Sequence, residues 1–142
     1  MPLKLYWTEL IEASAPLVLR RWGLVQLSGL ALAVQAMHLT LAWLALPSMR
    51  NLPPWVVWAV EGFFGLMLLV IGVLRFRPST RRPHLEPVRQ IFWDALWLGV
   101  AGLAAIFAVR MGSGLGVVLF LALGLAGYGI GFGRLWFGLS KT

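Results

Sequence analysis

The chain reads as an all-α integral membrane protein: a four-transmembrane-helix bundle with an N-terminal interfacial amphipathic helix and both termini cytoplasmic. Two observations predict this. Four long apolar runs, about 22–46, 55–74, 91–109 and 114–139, carry nearly all the hydrophobic residues. Each run is about 19 to 26 residues long, and a bilayer core of about 30 Å needs roughly 20 helical residues at about 1.5 Å each. The second observation is composition: 60% hydrophobic, 12% charged and a mean hydropathy of +0.84, values suited to a bundle in lipid and not to a soluble monomer. One membrane domain, residues 1–142, is the expected organisation, with no room for a separate soluble catalytic domain.

Charge predicts the orientation. Lys4, Arg20, Arg21, Arg75, Arg77, Arg81, Arg82, Arg89, Arg134 and Lys141 fall on one side of the predicted spans, and only Arg50 and Arg110 on the other. Short loops rich in Lys and Arg stay cytoplasmic, so the expected location is the cell (inner) membrane, multi-pass, N-in and C-in. The net charge of +7 is explained by this topology, so nucleic acid is not an expected partner. With no cysteine, disulfides, thiolate metal sites and thiol nucleophiles are excluded.

Residues 3–19 mix Leu3, Leu5, Tyr6, Trp7, Leu10 and Ile11 with Lys4, Glu9 and Glu12, which predicts an interfacial helix broken at Pro16. The apolar run behind it is longer than the h-region of an export signal, so an uncleaved first span is expected. Pro53 and Pro54 stand where the second span begins, a first-turn position that tolerates proline. The basic, proline-punctuated stretch 75–90 is expected to lie on anionic lipid, with Arg75, Arg77, Arg81 and Arg82 on the headgroups. An acidic partner is the alternative occupant of that stretch.

Ionisable residues inside a span cost about 2.5–3.5 kcal/mol, which makes each one a candidate site. Helical rise puts His38 and Glu61 roughly 23 and 21 Å from the inner boundary, while Asp94 is only about 6 Å deep and Arg134 arrives near the same inner face. Two polar layers follow: an outer one of Gln35, His38 and Glu61, and an inner one of Gln26, Asp94 and Arg134. Ser28, Ala31, Gln35, His38 and Ala42 share one stripe, so the second span is expected to pack on the first beside Glu61. His38 and Glu61 fit a proton- or cation-binding site, Asp94 and Arg134 an ion pair at headgroup level. Structural pairs that set helix register leave the same trace.

The last span contains Gly127, Gly129, Gly131 and Gly133 in two four-residue spacings, the pattern that lets helices approach closely in lipid. This face serves either the bundle itself or an interface with another protein. No catalytic or metal-ligand constellation stands out, and the cofactor is left unknown. Trp93 and Trp97 beside Asp94 suit either an aromatic belt or a flat lipophilic ligand such as a quinone or pigment.

The function expected from these features is that of a small non-catalytic accessory or assembly subunit of a larger membrane complex, its partners being lipid and other membrane subunits or itself. The alternatives are an oligomeric ion- or proton-coupled small-solute transporter using Glu61 and His38, and a membrane enzyme on a lipophilic substrate using Asp94 and Arg134.

Overall fold

The computed structural model describes residues 4–77 and 85–141, with the side chain of Lys141 left out. The chain forms α1 (Trp7–Ile11), α2 (Leu17–Ala45), α3 (Pro54–Phe76), α4 (Glu86–Met111) and α5 (Gly114–Gly138), followed by a 3-10 turn over Leu139–Lys141. Four of these helices are long and apolar enough to cross a membrane, which makes this a multi-pass membrane protein with bundle-like packing. A helix satisfies its main-chain polar groups within a single segment when water is absent, so long apolar runs fold this way.

The local signals act where expected. Pro53 and Pro54 open α3, and Pro87 lies in the first turn of α4. Gly112 takes a left-handed conformation, φ 77°, as the only positive-φ residue among those described. Its N–H donates to the Val109 carbonyl at 3.1 Å and the Ser113 N–H to the Ala108 carbonyl at 2.8 Å, closing a Schellman motif. Ser113 then caps α5 by accepting from the Gly116 N–H at 3.3 Å. A turn this tight obliges α4 and α5 to run antiparallel side by side, and they form the most extensive helix pair in the bundle.

The centre of the bundle is α4. In its most apolar stretch 50% of residues are buried, against 6% for α2. The main core joins Phe64, Leu68 and Ile71 of α3, Val100, Ala101, Ala104 and Ala105 of α4, and Phe120 of α5. Alanines on α4 and glycines on α5 bring the two backbones close, as at Ala101 against Gly124. In contrast to the expected packing, α2 and α3 share no extended contact, and each packs separately on α4. The α2 interface is built on two glycines of α4, Gly99 under Gln35 and Gly102 under Leu39.

At the other end of α2 the N-terminal segment folds back on the bundle. Its helix is limited to the five residues of α1, and α2 starts at Leu17, directly after Pro16. Leu10 is fully buried in a second cluster with Leu24, Ile91 and Leu139. Gln26 fastens the segment, its Oε1 accepting from the Tyr6 N–H and its Nε2 donating to the Lys4 carbonyl, both at 2.7 Å. Gln26 is thus spent on a backbone contact instead of joining Asp94 and Arg134.

Candidate functional site

The strongest concentration of polar chemistry inside the spans lies where α3 ends against α4 and α5. Arg75, in the last turn of α3, turns inward, and its Nε lies 2.7 Å from Asp94 Oδ1. The two side chains are 3% and 4% exposed, so the pair is almost sealed. Arg75 also donates through Nη2 to the Gly127 carbonyl on α5. Gly131, one turn further along α5, lies directly against both the guanidinium and the carboxylate. Trp97 sits beside them, its ring centre 5.6 Å from the guanidinium and its Nε1 donating to the Leu123 carbonyl at 2.9 Å.

The surroundings hold Arg75 in place. Arg89 Nη2 donates to the Leu74 carbonyl at 3.0 Å and Gln90 Nε2 to the Arg75 carbonyl at 3.1 Å, so side chains of α4 satisfy carbonyls that the end of α3 leaves open. A Glu86–Arg89 pair at 3.0 Å, more exposed, completes that cap. Tyr128 of α5 meets Ser28 of α2 and lies within the field of Asp94, which extends the polar cluster to all four long helices. Both charges are compensated inside the protein, the arrangement that makes a buried pair tolerable.

This geometry revises several expectations. Asp94 forms its ion pair with Arg75 and not with Arg134, which is exposed and lays its guanidinium over Phe76 at 4.7 Å. Arg134 still adds positive potential at Asp94 from outside the pair. Arg75 was expected on lipid headgroups and is instead 2% exposed, because Gly127 and Gly131 leave room for it between α3 and α5. Arg77 is exposed, whereas Arg81 and Arg82 lie outside the described residues. Arg75 follows directly on the predicted end of the second span at residue 74, where a cation is ordinarily expected at the interface. The available signal was the Gly127 and Gly131 spacing at the matching depth of α5.

The outer layer does not converge. His38 is exposed on α2, Gln35 packs on Gly99 of α4, and Glu61 reaches Gly116 at the start of α5. Glu61 Oε1 is buried and has no hydrogen-bond partner among the described residues. Gly127 and Gly131 face the bundle, while Gly129 and Gly133 have nothing within 4 Å of where a Cβ would stand. The four glycines therefore divide between an internal and an outward face.

What this fold and site define is a class, a multi-pass helical membrane protein in which a buried arginine–aspartate pair joins the end of α3 to α4. Beyond that class, comparison with protein-family models, with curated proteins and with solved structures found no match.

Proposed function

We propose that the chain is a small non-catalytic accessory or assembly subunit of a larger membrane complex, inserted in the inner membrane with both termini cytoplasmic. The single observation that carries this reading is the exposure of α2. This 29-residue helix packs mainly on α4 and α1, only 6% of its most apolar stretch is buried, and it leaves His38 exposed in the outer half of the span. An imidazole facing hydrocarbon is costly, and a polypeptide laid along α2 removes that cost. The outward Gly129 and Gly133 on α5 offer a second close-approach surface. The orientation rests on the charge asymmetry, with Arg50 and Arg110 at one end of the bundle and the other ten cationic residues at the opposite end or in its connections. Residues 4–11, pinned by Leu10 and Gln26 with Leu5 and Trp7 exposed, suit an interfacial anchor.

Native mass spectrometry on gently solubilised membranes is expected to show this chain in stoichiometric association with larger membrane subunits. A photo-crosslinking residue at position 38 is expected to capture one of them. A monodisperse monomer, or a homo-oligomer alone, from native membranes overturns the reading.

A second reading draws support from Glu61, whose buried, unpartnered Oε1 suits a coupling carboxylate in an ion- or proton-coupled transporter. That reading proceeds without His38, which does not approach Glu61. In proteoliposomes it requires that Glu61→Gln abolish solute flux while the melting temperature stays unchanged; flux equal to the wild type removes it.

A further inference from the structure

At the basic end of the bundle, α2 and α5 leave between them a groove of about 400 Å³ lined by Val18, Arg21, Trp22, Val25 and Trp136. One wall is the end of a stacked aromatic ladder on α5, in which Phe132 and Trp136 are 6.0 Å apart between centroids. Arg21 lies over Trp136 at 4.6 Å, so its guanidinium is held at the mouth of the groove. No carboxylate among the described residues compensates it, since the ion pairs there are Arg75–Asp94 and Arg89–Glu86. The Arg21 Nε is buried and makes no hydrogen bond among the described residues. The rest of the groove is apolar and opens sideways, Val18 being 66% and Trp22 55% exposed.

We propose that this groove is a binding site for an anionic phospholipid. The occupant must carry an anion for Arg21 and hydrocarbon for Val18, Trp22 and Val25, and a phospholipid joins the two at the spacing of the membrane interface. A guanidinium presents several N–H donors in one plane and binds phosphate with directed, charge-assisted hydrogen bonds. Tryptophans on either side suit the headgroup level, where an indole is apolar along its body and polar at its N–H. Arg75, expected to meet headgroups, is sealed inside the bundle, and Arg21 takes that role at a defined place. The inference is independent of whether the chain serves a larger complex.

The test uses the full chain purified in detergent, with phosphatidylglycerol and phosphatidylcholine added in equal amounts and the retained lipid read by native mass spectrometry. The wild type is expected to keep one phosphatidylglycerol in preference to phosphatidylcholine. Arg21→Gln is expected to lower that retention about fivefold. Arg21→Lys recovers part of it, and Arg50→Gln, which removes one charge at the other end, leaves it unchanged. Equal retention of the two lipids by the wild type overturns the proposal without any variant having to fold. Undiminished retention by a folded Arg21→Gln chain overturns it as well, as does a co-purifying polypeptide that excludes phospholipid from the groove.

Discussion

Asp94→Ala is expected to destabilise the bundle by about 3–5 kcal/mol, the usual cost of leaving one charge of a buried pair without its partner. The Arg75 guanidinium, 3% exposed at its side chain, would retain the Gly127 carbonyl but lose the only carboxylate within ion-pair reach among the described residues. Arg75→Met is expected to cost a comparable amount by stranding Asp94. The double variant separates a lock from an energetic bonus. Removing both charges together should cost markedly less than the sum of the single losses, because the desolvation of both ions disappears with the attraction. Thermal unfolding of the four proteins in one detergent measures this. Single losses below about 1 kcal/mol would mean that the pair behaves like an exposed one and does not lock the helices. The internal comparison is Glu86→Ala, whose pair with Arg89 is 31% and 27% exposed and should contribute little.

Gly131→Ala is expected to lower stability by about 1–3 kcal/mol, whereas Gly129→Ala is expected to be neutral or stabilising by up to about 1 kcal/mol. The two residues are identical in type, two positions apart on α5, and each belongs to a four-residue glycine spacing. A Cβ at Gly131 would enter the space held by the Arg75 guanidinium and the Asp94 carboxylate. Neither group yields easily, since each is fixed by the other and Arg75 also by the Gly127 carbonyl. A Cβ at Gly129 meets nothing within 4 Å and brings only the helix propensity of alanine. Melting temperatures in matched detergent give the comparison, and equal losses at the two sites would contradict the assigned faces. The outward variant also bears on assembly: if Gly129→Ala keeps the fold yet weakens association with larger subunits, that face of α5 meets a partner.

Part of the site was legible from residue types and part was not. Asp94 stands out in the sequence as an acidic residue within an apolar run, and in the structure it is buried on α4 against Arg75. Its partner was misassigned because Arg75 and Arg134 are both cations near the same depth, and only the rotation of α3 and α5 separates them. Arg75 points between the helices, over Gly127 and Gly131, while Arg134 points outward over Phe76. The grouping of Gln35, His38 and Glu61 failed for a related reason. Equal depth was read as proximity, yet α2 and α3 pack separately on α4, so residues at one level need not meet. Gln26 shows a third kind of miss, since its amide satisfies the N-terminal backbone, and no spacing in the sequence announces that contact.

Hydropathy and proline placement were enough to determine four long apolar helices and their approximate ends. The reason is that a main chain in hydrocarbon must bond to itself within each helix, and the membrane sets its length. The order of helices around α4, the inward turn of Arg75 and the outward turn of His38 were decided only by tertiary packing. In water a polar stripe marks the outside of a helix and an apolar stripe the inside. In lipid both sides are apolar, so the faces are chosen by fine contacts such as Gly99 under Gln35 and Gly131 under Asp94, which depend on how close two backbones can come.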